Sequence, residues 1–132
     1  MRKAFVALLC TLAFAVPVPS HAAIDGLILT RGSMYVPGGD VYNGNTRVTA
    51  TKTLILPAGS TLTLHNLDLG AHNVYSGDPV VDGTEGNGLF HSDDTNYNTT
   101  APVVGVQNLA PGEYRFFCSL HPSKVTGTLV IV

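Results

Sequence analysis

The sequence predicts an all-β fold, a Greek-key β-sandwich of seven to eight strands. Three observations predict it. Glycine (14 residues) and proline (8) are frequent, while Val, Thr, Leu and Tyr dominate the apolar segments. Short alternating stretches recur between turn signals, which is the period-two pattern of half-buried strands. No long run of helical periodicity, internal repeat, heptad or low-complexity tract interrupts them.

Taken in order, Leu27 to Thr30 reads as a first strand, and Gly32 to Asn45 as a loop with Pro37-Gly38-Gly39 and Asn43-Gly44-Asn45 as turn chemistry. Arg47 to Thr51 and Thr53 to Leu56 are short strands. Pro57-Ala58-Gly59-Ser60 is a turn that feeds the alternating strand Thr61 to His65. Asn66 to Ala71 is a turn that delivers His72-Asn73-Val74-Tyr75-Ser76. Gly77 to Gly88 and Ser92 to Thr100 read as polar surface segments, with Leu89-Phe90 touching the core between them. Ala101 to Leu109 holds one strand, Pro111-Gly112 is a turn, Glu113 to Cys118 is an aromatic strand, and Thr126 to Val132 is the last. That density of short strands and turns is what a Greek-key sandwich requires.

Residues 1–22 read as a secretory signal peptide: Met1-Arg2-Lys3 is a basic start, Ala4 to Val16 is mostly apolar, and Ser20-His21-Ala22 is a small-x-small cleavage site. Cys10 has no small residue just before it, so a lipid anchor is not expected. The apolar run is shorter than the ~20 residues of a membrane span. The working domain is therefore expected to be residues 23–132, exported to a periplasmic or extracellular compartment. Losing Arg2 and Lys3 leaves five basic residues against nine acidic ones, which offers no basic patch for nucleic acid.

Cleavage also leaves Cys118 as the single cysteine. A solitary thiol in an oxidising compartment is either a buried, inert core residue or a thiolate protected by a metal. His121, three residues beyond, shifts the balance toward the metal, and His72 supplies a second imidazole from a distant segment. One thiolate and two imidazoles suit copper cycling between Cu(I) and Cu(II), the sulfur being soft and the nitrogens acceptable to both states.

The segment Pro111-Gly112-Glu113-Tyr114-Arg115-Phe116-Phe117-Cys118-Ser119-Leu120-His121-Pro122, followed by Gly127-Thr128-Leu129, resembles the C-terminal signature of cupredoxins of the plastocyanin/azurin type. Upstream, Pro57-Ala58-Gly59-Ser60-Thr61-Leu62-Thr63, Asn66-Leu67-Asp68 and His72-Asn73-Val74 resemble the segment that supplies their first histidine, and Phe90-x-Ser92 echoes the same group. The similarity covers most of residues 53 to 132. It implies a cupredoxin-like fold with one type 1 copper ion ligated by His72, Cys118 and His121. It further implies that Asn73 ties the two ligand loops together and hydrogen-bonds near the sulfur, and that Tyr114 closes a Greek-key corner.

One departure stands out. Such proteins commonly place an axial Met a few residues beyond the C-terminal histidine, and this chain has no Met after Met34. Val125 or Lys124 falls there instead; valine cannot coordinate, and lysine must first lose a proton against an ordinary pKa of about 10.4. Three arrangements stay open: a three-coordinate site, an axial backbone carbonyl (that of Ala71) or water, and a site turned from electron transfer to plain copper binding. Met34 is not expected to serve.

The remaining candidates carry less. His65, at the end of an alternating strand, is expected to face solvent or bond a neighbour. His91 with Asp93 and Asp94 could hold a second, harder ion, although a solvated acidic loop is the expected reading. Asn98-Thr99-Thr100 matches a glycosylation sequon, a pattern too common to weigh. A Cys-His nucleophilic dyad needs an exposed thiolate, which Cys118 at the end of an aromatic strand fits badly. No enzyme is expected. The expected function is one-electron transfer with redox partner proteins that dock transiently near His121. Copper delivery or buffering without rapid turnover is the alternative, and a structural domain with a vestigial site is the third.

Overall fold

The computed structural model describes residues 22–37 and 53–132. The expected strand at Arg47 to Thr51, residues 1–21 of the expected leader and the distal part of the loop expected to end at Asn45 lie outside the described residues. Among the described residues eight strands are seen: β1 Asp25–Thr30, β2 Tyr35–Pro37, β3 Thr53–Leu56, β4 Thr61–Asn66, β5 Tyr75–Ser76, β6 Thr99–Pro102, β7 Gly112–Phe117 and β8 Thr126–Ile131. A single 3-10 turn spans Val106–Asn108, and the described residues contain no α-helix.

The strands form two four-stranded sheets, in the orders β2-β1-β4-β6 and β3-β8-β7-β5. β1 runs parallel to β4, and β3 parallel to β8; the other pairs are antiparallel. The alternation seen in sequence becomes the two faces of each sheet. In β3, Leu54 and Leu56 are buried while Ile55 faces out at 61 % exposure. In β4, Leu62, Leu64 and Asn66 point inward, and in β8 Gly127, Leu129 and Ile131 do so. Between the sheets lies a core built on Ile28, Leu56, Leu64, Val74, Phe90, Phe116 and Leu129. Such interdigitation is what holds a sandwich together. Cys118 and Val125 belong to the same cluster, so the candidate thiolate sits at one end of the core.

Close packing extends to the strand pairing. Phe116 on β7 faces Gly127 on β8, and the ring lies over the glycine where a side chain would otherwise stand. Phe116 also meets Tyr35 edge-on, with ring centroids 4.9 Å apart. Two residues earlier on β7 the Tyr114 hydroxyl donates to the Ala110 carbonyl at 2.6 Å, the corner-closing contact of Greek-key sandwiches.

The structure departs from the sequence reading at three places. Tyr35–Pro37, read as loop, is a strand antiparallel to β1. It is too short to show a period, and its hairpin turn rests on Gly32 and Ser33, both at positive φ (60° and 57°). β6 begins at Thr99, inside a segment read as polar loop; it is an edge strand that buries only Ala101, so it carries no apolar alternation. The stretch read as one strand from Ala101 to Leu109 breaks at Gly105, whose φ of 103° admits the 3-10 turn.

Candidate metal centre

Two loops at one end of the sandwich build the site. The first connects β4 to β5 and carries His72, anchored by backbone hydrogen bonds in both directions with Thr95 (3.1 and 2.8 Å). Val74 is fixed in the same way: its N–H donates to Ser92 Oγ at 2.9 Å, and its carbonyl accepts the Ser92 N–H at 2.8 Å. The second loop leaves β7 at Cys118. The Cys118 N–H donates to the Val125 carbonyl at 2.8 Å, closing the loop at its base. Inside it the His121 N–H donates to the Cys118 carbonyl at 3.1 Å, and the His121 carbonyl accepts from Lys124 (3.1 Å) and Val125 (3.0 Å). A loop this tightly bonded holds its two candidate ligands in a fixed relation.

The sequence-predicted donors converge. Cys118 Sγ lies 3.7 Å from His72 Nδ1 and 3.8 Å from His121 Nδ1. The imidazole rings sit 5.0 Å apart at a 44° tilt. These three residues form a group whose donor atoms all lie within 4.8 Å of one another, so they can hold one metal ion.

Both sulfur–nitrogen separations suit a single shared metal ion. Metal–sulfur bonds of about 2.3 Å and metal–nitrogen bonds of about 2.0–2.1 Å, the lengths zinc shows, put sulfur and nitrogen ~3.8 Å apart when opened to 120°. Among the described residues no further His, Cys, Asp or Glu joins the group. A structural zinc site takes four such ligands, whereas a trigonal His-His-Cys set with a weak or missing axial donor is the chemistry of blue copper. The donor set therefore fits type 1 copper.

The surroundings match those donors. Cys118 is fully buried, and the Asn73 N–H points at its sulfur at 3.4 Å. Asn73 also bonds across the loops: its Oδ1 accepts the Ser119 N–H at 2.8 Å, and its Nδ2 donates to Ser119 Oγ at 2.6 Å and to Asp94 Oδ1 at 2.8 Å. The Tyr35 hydroxyl donates to the Asn73 carbonyl. Burial, reinforced by the nearby Cys118, raises the Tyr35 pKa well above its ordinary value, so the phenol stays protonated and remains a donor. Burial likewise lowers the His72 pKa, reinforced by His121 and opposed by Asp68. A neutral imidazole is the form that binds a metal.

The other sequence candidates lie elsewhere. Val125 is fully buried in the core, Lys124 is exposed and Ala71 half-buried. Met34 is 38 % exposed in the β1–β2 turn. His65 Nε2 meets Asn98 Oδ1 at 3.1 Å on the surface, as expected of a strand residue bonded to its neighbour. His91 is exposed; its backbone bridges Tyr75 and Val104, and His91, Asp93 and Asp94 do not gather as a metal-binding group. Sequence reasoning missed the supporting residues Tyr35, Asp94, Ser119 and Asp68. Only Asp68, four residues before His72, left any trace in the spacing.

A family model described as a cupredoxin-like domain matches residues 45–131. A search of curated proteins returned no match. Among solved structures, an oxidised mutant of amicyanin aligns at 19 % identity over 80 % of each chain, with a TM-score of 0.53. A Cu(I) form of another amicyanin mutant aligns at 19 % identity over 85 % of this chain and 86 % of that one, with a TM-score of 0.55. A purple cupredoxin from Nitrosopumilus maritimus aligns at 26 % identity over 82 % of this chain and 100 % of that one, with a TM-score of 0.54. With the family model covering well over half of its length and the His-Cys-His group in place at one end of the sandwich, the chain belongs to the cupredoxin-like family.

Proposed function

We propose that this chain is an exported type 1 copper protein that carries one electron at a time between partner proteins, with His72, Cys118 and His121 as its copper ligands. The observation that carries the reading is the placement of one buried sulfur 3.7 and 3.8 Å from two imidazole nitrogens. Copper bound there supplies a Cu(I)/Cu(II) couple with strong coupling through the sulfur.

The chain's own residues account for the rest. The closed Cys118–Val125 loop and the Asn73–Ser119 contacts resist rearrangement of the ligands, which keeps the barrier to a change of oxidation state low. The Asn73 N–H stabilises negative charge on the sulfur. Core packing around Cys118 excludes water. His121 is half-buried, and its neighbour Leu120 is 46 % exposed, which makes this edge the natural electron exit and a small transient docking surface. The excess of acidic over basic residues favours partners with a basic face. The leader at residues 1–22 supports export to the periplasm or the cell exterior. Among the described residues no helix is long and apolar enough to cross a membrane.

One observation favours a second reading, copper delivery or buffering. Val125, in the stretch where an axial thioether would stand, is fully buried and has no donor atom, and Lys124 is exposed. An absorption spectrum after Cu(II) addition, beside a Cys118→Ala control, separates the two. An intense thiolate-to-copper band that vanishes in the control is expected for an electron carrier. Colourless protein that still retains Cu(I) would favour delivery, and failure to retain either ion would defeat both.

A further inference from the structure

His72 Nδ1 faces the sulfur, and its other ring nitrogen, Nε2, lies 3.0 Å from Asp68 Oδ2. The His72 side chain is 2 % exposed and that of Asp68 17 %, so water competes poorly for this contact. Asp68 does not hang free. Its Oδ1 accepts the Gly32 N–H at 2.6 Å, and its Oδ2 accepts the Ser33 N–H at 2.9 Å. Its own N–H donates to Asn66 Oδ1 at 2.9 Å, and that oxygen also accepts the Thr30 hydroxyl at 2.6 Å. The carboxylate is thus clamped by the turn between β1 and β2 before it meets the imidazole.

We propose that Asp68 is the positioning residue for His72: held by the β1–β2 turn, its carboxylate keeps the proton on Nε2 and leaves Nδ1 free as the metal-binding nitrogen. An ionised carboxylate only accepts hydrogen bonds, so the ring nitrogen facing it must carry the hydrogen. A neutral imidazole has one such hydrogen, and fixing it at Nε2 directs the lone pair of Nδ1 toward Cys118 and His121. The carboxylate also strengthens the imidazole as a donor, which favours the higher oxidation state of a bound metal. The β1–β2 hairpin then supports the first ligand loop at two points, through Asp68 and through the hydrogen bond from Tyr35 to the Asn73 carbonyl. The ligand orientation rests on the copper reading given above; the tautomer does not.

The test compares wild type with Asp68→Ala and Asp68→Asn. Nitrogen NMR of the metal-free protein reads the His72 tautomer directly. Wild type is expected to show a single form protonated at Nε2, and both variants a population protonated at Nδ1. The amide of Asp68→Asn offers one acceptor oxygen to three donors, so it serves as the isosteric check if Asp68→Ala folds poorly. Competition titration with copper is expected to show a 10–100-fold weaker affinity in the variants, with a raised reduction potential. A purely structural role would lower the melting temperature while the folded variants kept the wild-type tautomer, and that result overturns the proposal. If wild type takes up no copper, the electron-carrier reading falls, yet the tautomer measurement still decides the role of Asp68.

Discussion

Asn73 and Ser119 hold each other by two hydrogen bonds, from the Ser119 N–H to Asn73 Oδ1 at 2.8 Å and from Asn73 Nδ2 to Ser119 Oγ at 2.6 Å. They sit next to His72 and Cys118 in sequence, so this pair is the brace between the two ligand loops. Asn73→Ala removes both bonds and strips Asp94 of a partner. It is expected to cost about 1–3 kcal/mol of stability in the metal-free protein, and ~10–100-fold in copper affinity. Urea unfolding and a competition titration would measure the two effects; unchanged affinity would mean that the brace does not orient the ligands.

Burial lowers the His72 pKa relative to its ordinary value, which gives a pH dependence of definite sign. Above about pH 6.5, the ordinary histidine value, the residue is neutral both folded and unfolded and contributes nothing. As pH falls below that point the unfolded chain takes up the proton first, so folding stability drops, and the drop levels off once pH has passed the lowered folded-state value. Metal-free protein should therefore lose urea resistance on going from pH 7.5 toward 5, and His72→Gln should remove part of that loss. Equal slopes for the two proteins would contradict the assignment.

Val125 follows His121 by four residues and is fully buried beside the loop. Val125→Met adds a thioether in the stretch where related sites carry their axial donor. The reduction potential is expected to fall, because the extra donor favours Cu(II), while overpacking costs ~1–3 kcal/mol. Voltammetry of the copper form decides; an unchanged potential would mean that the added sulfur does not reach the metal.

Gly127 lies under the Phe116 ring, and a methyl group there would stand 2.7 Å from Phe116 Cε2. Gly127→Ala is expected to destabilise the fold by about 1–3 kcal/mol through overpacking. Phe116→Leu in the same chain should recover part of that cost, since the clash is with the ring. Thermal unfolding of the two single variants and the double variant forms the required cycle; strict additivity would place the strain elsewhere.

Much of this was legible in the chain because it is local. The alternation in Thr53–Leu56 and Thr61–Asn66 marks strands with one buried face, and Cys118-x-x-His121 needs only a short loop to bring two donors together. What escaped was polar or brief. Tyr35–Pro37 has three residues and no period, and Thr99–Pro102 lies at a sheet edge with one buried side chain. Both gain their strand character from a partner strand distant in sequence or across a turn.

By itself, the sequence determined the all-β class and singled out three candidate metal donors, because residue type and spacing fix hydrophobic alternation and ligand softness. Only the tertiary structure decided that Nδ1 is the nitrogen each imidazole turns to the sulfur. It alone showed that Asp68, Tyr35, Asp94 and Ser119 support the ligand loops, and that His91 with its neighbouring aspartates does not gather into a second centre. Hydrogen bonds such as that from Tyr35 to Asn73 join residues 38 positions apart, and such a partnership is set by how the strands register and pack.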